Sequence, residues 1–309
     1  MNENTRNDLP PAPLLSRRSV ARLGLALGAG AATSVAAAGS ASASSSTFRV
    51  GHLNILSSLS HADFMHDLNL IAGHCHLLGL NEVQFRRDAL RTWADENGWH
   101  LYMPSGTWPG AEPLLARTSM FDVTTPGGDR GSIFVCDTGG SADPPPPRYI
   151  TWISWTHKPS GRRVQHINSH LNAHIDDNGQ PYNLPRTDDA EKHIRMIRDL
   201  AVNRSDNGQV VVSGDFNVDY QDDKRVQYSR FPYTVLEERQ AAGAIPGLRS
   251  GYSQMGVTNQ ATHGSRRIDY IYEWVRVPSA RLMHMTNHYV VDGTRSDHNG
   301  VVAAFSITH

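Results

Sequence analysis

Two runs, Tyr149 to His157, dense in β-branched and aromatic residues, and Arg162 to Ser169, with Val164 and Ile167, flank Lys158-Pro159-Ser160-Gly161. A Pro- and Gly-containing turn between such runs predicts a β-hairpin, and therefore an antiparallel pair of strands. That pair constrains the fold more than any other feature. Elsewhere the chain alternates helix-period segments with short apolar runs, the pattern of βα units. A wholly parallel doubly wound sheet has no place for a hairpin, so the reading is an α/β sandwich of two mixed sheets flanked by helices.

The rest of the chain is consistent with this. Phe48 to Ile55 reads as a strand ending at Asn54, and Phe64, Leu68, Ile71, Ala72 and Cys75 have the spacing of one helix face. Leu77 to Val83 is a buried strand that delivers Glu82 at its end. Leu90, Trp93 and Ala94 mark a helix that stops near Asn97-Gly98. Thr187 is the expected cap of a further helix, with Asp188 and Asp189 in its first turn and Ala190, Ile194, Ile197 and Ala201 on its buried face. Asn207-Gly208 ends that helix, and Gln209 to Ser213 is another buried strand. Ile268 to Val275 and Val301 to Ile307 read as later strands. Pro144 to Pro147 is a stiff polyproline piece too short to separate domains. No repeat or composition break divides residues 48–309, so a single domain is expected over 44–309.

Residues 1–43 read differently. Ser16-Arg17-Arg18-Ser19-Val20-Ala21-Arg22 precedes a weakly apolar run, Leu23 to Ala38, and Ala41-Ser42-Ala43 is an A-x-A cleavage site. That is the layout of an export signal, and the arginine pair resembles the twin-arginine type. The run is too rich in Gly and Ala for a membrane span, so the expectation is a secreted protein with no lasting membrane insertion. Cleavage removes four arginines (Arg6, Arg17, Arg18, Arg22) and two acids (Glu3, Asp8), taking the net charge from -1 to -3. Such a balance supplies no general attraction to polyanions, so nucleic acid would have to be held by local patches. Only Cys75 and Cys136 are available for a bridge, which excludes a disulfide scaffold and leaves open whether they pair.

Five short segments place acids, amides and imidazoles at the ends of the expected strands, where loops gather such groups into one cleft. Ser213-Gly214-Asp215-Phe216-Asn217 follows a buried valine run, and period-two geometry puts Asp215 beside Asn217 on one side of the chain. Taken alone it is equally an Asx turn. Asn168-Ser169-His170-Leu171-Asn172-Ala173-His174 ends the hairpin. His170 and His174 have the spacing of a helical zinc pair, but Leu171 stands where a zincin carries glutamate, and the segment follows a strand. Arg267-Ile268-Asp269-Tyr270 and Ser296-Asp297-His298 open two late strands, and Asp269 is the candidate carboxylate to orient His298. Asn54 and Glu82 supply an amide oxygen and a carboxylate, donors that suit Mg²⁺. His74-Cys75-His76 lacks further ligands in sequence and is read as structural. Trp152, Trp155, Tyr149 and Tyr270 are read as core.

In this order the segments resemble the endonuclease/exonuclease/phosphatase, or deoxyribonuclease-I-like, family over about residues 48–307. Gly-Asp-x-Asn and the terminal Ser-Asp-His carry most of the resemblance. It implies a four-layer α/β/β/α sandwich and a metal-dependent phosphoric ester hydrolase. Glu82 would be the principal ligand of Mg²⁺ or Mn²⁺, with Asn54 and Asp297 near the ion. Asp215 would orient or deprotonate water, Asn217 would hold a phosphoryl oxygen, and His170 with the Asp269–His298 pair would stabilise or protonate the phosphate and leaving group. Asn172, Arg162 and Arg267 are the candidate substrate contacts. Asn81 stands where the family commonly has Gln, and Gly131-Ser132-Ile133-Phe134 only approximates its Gly-x-Ala-Ile-Leu strand; neither is expected to touch the chemistry. The leading expectation is a monomeric, non-specific secreted nuclease. An inositol-phosphate-type phosphomonoesterase, or a sphingomyelinase-like lipid phosphodiesterase, is the alternative, the lipid version being weakened by the absence of an evident exposed apolar hairpin.

Overall fold

In the strands that end at Asn54, His170 and Asp215, the alternating row that is apolar towards the start of the strand turns polar towards its end. The computed structural model describes residues 44–124, 129–137, 146–238, 247–276 and 282–309. Residues 1–43, which carry the expected export signal, and Pro144 and Pro145 of the polyproline piece, lie outside them. Residues from Ala43 to His309 form one unit.

The strands in chain order are β1 (Ser45–Asn54), β2 (Leu77–Asn81), β3 (Trp99–Tyr102), β4 (Leu114–Arg117), β5 (Phe121–Val123), β6 (Arg130–Cys136), β7 (Arg148–His157), β8 (Arg162–His170), the short pair β9 (Asp176–Asp177) and β10 (Gln180–Pro181), β11 (Gln209–Asp215), β12 (Gly247–Ser250), β13 (Asp269–Val275), β14 (Met283–Val291) and β15 (Gly300–Thr308). One sheet runs β14-β15-β1-β2-β4-β3. The other runs β12-β13-β11-β8-β7-β5, with β6 continuing along β7 beyond β5. Both are mixed: β1 pairs β2 in parallel and β15 antiparallel, and β11 pairs β8 in parallel and β13 antiparallel. Helices α1 (His61–Ala72) and α2 (Arg87–Glu96) pack outside the first sheet, and α3 (Leu184–Ser205) outside the second. Four layers result, as the sequence leads one to expect.

Period-two alternation explains the layering. In β1, Phe48 and Val50 join the core between the sheets, whereas Leu53 and, just beyond the strand, Ile55 face Phe64, Leu68 and Ile71 of α1. In β11, Val211 faces inward while Val210 and Val212 meet Ile194 and Ile197 of α3. The inward row continues as Ser213 and Asp215. In β8 it continues from Val164 to His166, Asn168 and His170. His166 Nε2 lies 3.0 Å from Ser213 Oγ, and Asn168 Nδ2 crosses the gap to donate to Leu80 O at 2.8 Å. The sheets approach closely here, since a Cβ on Gly79 would collide with the Ser213 hydroxyl and the Asn168 amide. Only glycine fits.

Local expectations need two corrections, and one open question is answered. Helix α3 begins at Leu184, and Asn183 caps it by accepting from Arg186 N at 3.2 Å. Pro185 suits the first turn, whose N–H groups lack helical partners. Thr187 is therefore inside the helix, and Asp188 and Asp189 fall beyond the first turn. The second sheet's edge also exposes Ile133 and Phe134 on β6 (43% and 47%), an apolar hairpin arm the sequence did not reveal. Cys75 and Cys136 are both free and buried, in the separate cores beneath α1 and α3. Among the described residues no helix is long and apolar enough to cross a membrane.

Candidate active site

The inward rows of β1, β8, β11 and β13 end at the same edge of the sandwich. Register puts Asp215 opposite His170 on one side and Asp269 on the other, and Asn54 opposite Asn81 in the first sheet. Asp215 is the junction. Its Oδ2 accepts from Asn54 Nδ2 at 3.1 Å and lies 3.4 Å from His170 Nε2 and 3.8 Å from His298 Nε2. Its Oδ1 accepts from Asn217 N at 2.9 Å. Asn81 fixes the strand beneath by accepting from Asp215 N at 3.2 Å. The departure at Asn81 thus does touch the site, through a bond across the sheets.

His298 Nδ1 is 2.8 Å from Asp269 Oδ2, so the structure forms the dyad the sequence suggested. Thr262 Oγ1 accepts from Ile268 N and Asp269 N, which sets the position of that carboxylate. The serine of Ser296-Asp297-His298 is a stitch. Its Oγ donates to Asn54 O at 2.8 Å and accepts from Leu56 N at 3.1 Å, while buried Asp67 of α1 accepts from Arg295 N and Ser296 N. The last loop is thereby tied to the end of β1.

Burial disfavours charge on His298, but Asp269 and Asp215 outweigh it and raise the imidazole to about 10. It is an imidazolium at neutral pH. Burial and the Arg148 guanidinium hold His170 below the ordinary imidazole value, against the pull of Asp215. Burial raises the Asp215 carboxyl, yet the hydrogen bond from His170 and the charge of His298 hold it well below the usual range. Asp269 is lowered too, burial being outweighed chiefly by His298. Glu82 is lowered as well: burial is outweighed by His170, which is protonated in the acid range where a carboxyl titrates, and by the Ser57 N–H and the Asn54 amide.

Glu82 and Asn217 are both non-glycine residues at positive φ, 65° and 53°. Such backbone is uncommon for L-residues and is held only where surroundings enforce it. For Glu82 the enforcement comes from Asn54 Nδ2 donating to Oε1 at 3.2 Å and Ser57 N donating to Oε2 at 3.2 Å. Asn54 Oδ1 remains buried with no hydrogen-bond partner. An orphaned amide oxygen beside a carboxylate is a donor pair that fits a hard divalent cation. Asp297 is half exposed, and its Oδ2 lies 3.5 Å from His263 Nε2. The ligand atoms of His263, Asp297 and His298 lie within 4.8 Å of one another, a second grouping at the mouth of the site.

The remaining expectations divide. Asn217 Nδ2 donates to Leu171 O at 3.1 Å, and Asn172 accepts from Arg148 Nε at 3.0 Å. Arg162 starts β8 and His170 ends it, eight residues or about 26 Å apart at roughly 3.3 Å per residue, so Arg162 lies at the wrong end to touch a substrate here. Arg267 spends its guanidinium on Thr258 O and Gln221 Oε1. His174 is exposed in left-handed backbone while His170 is buried on its strand, which removes the helical zinc pair. Trp155 and Tyr270 are buried as expected; Tyr149 and Trp152 are only partly so.

Sequence reading missed Arg148 and Glu112, which are buried beside His170 and Glu82. Burial pushes the Glu112 carboxyl well above the usual range, with Arg148 opposing. The signal available was a charged residue at the start of an otherwise apolar strand, which is common on exposed ends. It also missed His263.

No protein-family model matches the sequence, and no curated protein matches it. Solved structures do. An endonuclease/exonuclease/phosphatase family protein from Bacteroides thetaiotaomicron aligns with TM-score 0.57 and 16% identity, covering 86% of this chain and 97% of that one. A mannosyl-6-phosphatase from the same organism aligns with TM-score 0.55 and 17% identity, over 84% and 99%. TDP2 of D. rerio, complexed with a single-strand DNA product, gives 0.58 and 14%, over 84% and 99%. The fold of this chain is that of the endonuclease/exonuclease/phosphatase proteins.

Proposed function

We propose that the chain is a divalent-metal-dependent phosphodiesterase acting on nucleic acid by in-line attack of water. The observation that carries this reading is the convergence of Asn54, Glu82, His170, Asp215 and the Asp269–His298 pair at one edge of the sandwich, with Asn54 Oδ1 left without a partner. Three carboxylates, Glu82, Asp215 and Asp269, face one imidazolium and one guanidinium there. An anionic phosphodiester would meet a net negative site, and a divalent cation reverses that balance. Asn54 and Glu82 would hold Mg²⁺ or Mn²⁺, with Asp297 the further carboxylate at the mouth. When bound, the ion polarises the phosphoryl oxygen and stabilises the leaving oxyanion.

The chain's own residues supply the rest. Asp215, ionised and tied at Oδ1 by the Asn217 N–H, offers Oδ2 as the acceptor that orients the attacking water. Its low affinity for protons makes it a better orienting group than a proton store. His298, charged and held by Asp269, places a positive Nε2 where charge grows on the phosphoryl group. His170, neutral near pH 7, is the hydrogen-bonding partner on the other side of Asp215.

The test is hydrolysis of bis(p-nitrophenyl) phosphate, plasmid and single-stranded DNA by residues 44–309, with EDTA and then with restored Mg²⁺ or Mn²⁺. Metal-restored cleavage of diesters supports the reading. Phosphate release from monoesters alone, with every diester intact, would replace it with the phosphomonoesterase alternative, which the fold shared with a mannosyl-6-phosphatase favours. Secretion through the twin-arginine route is part of the same proposal. It rests on Arg17-Arg18, and normal export of an Arg17→Lys, Arg18→Lys precursor would refute it.

A further inference from the structure

A cavity of about 370 Å³ opens directly beside the site, lined by Glu82 and His170 on one side and by Phe85, Trp108, Pro146 and Pro147 elsewhere. Phe85 is 64% exposed and stands with Trp108, Pro146 and Pro147 around the same cavity, so the apolar side chains there form a group and not a scattered side chain. The aromatic lining is fixed in place. Arg87 donates to Gly106 O at 2.7 Å and Pro104 O at 3.1 Å, Ala111 N donates to Trp108 O, and Val83 N donates to Ala111 O. The loop bearing Trp108 is thus fastened to the segment that bears Glu82 and Phe85. Glu112 and Arg148 also line the cavity, and Glu112 Oε2 is buried without a hydrogen-bond partner. An amino group on the edge of a ring would satisfy it.

We infer that this cavity binds one unpaired nucleobase next to the scissile phosphate, making the chain selective for single-stranded over duplex nucleic acid. The inference rests on the phosphodiesterase reading and names its substrate class. Aromatic and proline faces grip a base through its π-face, which every base presents and only an unpaired, unstacked one exposes. A duplex keeps its bases in the stack and could offer the cavity only a backbone.

Three oligonucleotides of one length discriminate: a single strand, its duplex, and a single strand of abasic residues with the same backbone. Binding is read by fluorescence anisotropy on EDTA-treated residues 44–309, so that no turnover is required, and cleavage is then read in Mg²⁺. The single strand should bind at least about tenfold more tightly than the duplex or the abasic strand. Phe85→Ala and Trp108→Ala should each weaken it about five- to hundredfold and leave the abasic strand unchanged. In cleavage the loss should appear in KM, with kcat kept. Equal binding of all three strands, or equal losses on the abasic strand, would overturn the inference whatever the cleavage shows. Base-dependent binding without metal-dependent cleavage of any strand would instead sink the phosphodiesterase reading and leave the base site standing.

Discussion

The space between the two sheets is one layer with two characters. At one end Phe48, Phe121, Trp155 and Phe305 pack as an apolar core, with Phe48 and Phe305 stacked at 5.4 Å. At the other end the same alternating rows present His52, His166, Asn168, Ser213 and Asp269, all fully buried, and then the site. Backbone geometry is continuous from one to the other; only the side chains change. Burying polar groups stabilises less than burying apolar ones of equal size, and costs heavily when a partner is missing. The polar end is therefore what the fold carries for function, and the apolar end is what holds the sheets together while it does so.

The largest expected effect lies at the polar end. His298→Ala should lower turnover about 10²–10⁴-fold, and Asp269→Asn should follow it more closely than it follows any metal-ligand variant. Each also breaks a buried charged pair, so the unfolding midpoint in denaturant should fall as well, and turnover is read per folded molecule. A severe His298→Ala beside a silent Asp269→Asn would show that the pair does not work as a unit. Phe305→Ala is the mirror image. It should cost about 3–5 kcal/mol of stability, read from the shift of the urea midpoint, with kcat per folded molecule retained.

A third effect is smaller and separates the ends by pH. In metal-free protein, His298 is raised to about 10 from its unfolded value near 6.5, so the folded state binds the extra proton between those values. Stability from that pair is full below pH 6.5 and falls as pH rises towards 10. His166 and His193 are buried and lowered to about 3, so there the unfolded state binds the extra protons. Stability should fall as pH drops from 6.5 towards 3. The melting temperature should peak between the two arms, and His298→Ala should flatten only the alkaline one. A profile whose alkaline arm is unaltered by His298→Ala would contradict the charged dyad.

Much of this was legible because strands that end in chemistry are short, apolar and punctuated. Val210-Val211-Val212 before Gly-Asp-x-Asn reads as a buried strand whatever surrounds it, and the hairpin around Lys158 to Gly161 announces antiparallel pairing. Strand β14 was not legible, because Met283-His284-Met285-Thr286-Asn287-His288 mixes polar and apolar residues across a bulge. Arg148 and Glu112 were missed since a buried charge is defined by its surroundings. Phe85 and Trp108 sit in loops, and no periodicity marks a loop aromatic as a binding surface. Arginine pairs misled for the converse reason: charge is visible in sequence but its position along a strand's length is not. Arg162 illustrates the smallest effect. Arg162→Ala should change turnover less than about twofold and stability by no more than about 0.5 kcal/mol, and a large loss of substrate binding would place it at the site after all.

The central claim is that the polar end is assembled around a divalent cation held by Asn54 and Glu82. Calorimetric titration of Mn²⁺ and Mg²⁺ into residues 44–309 tests it most directly, comparing the native chain with Glu82→Gln, which keeps the side-chain size and removes the charge. Saturable binding to the native chain that weakens at least about tenfold in Glu82→Gln, with an unchanged melting temperature in EDTA, is the predicted result. Equal affinity in the two proteins would contradict it.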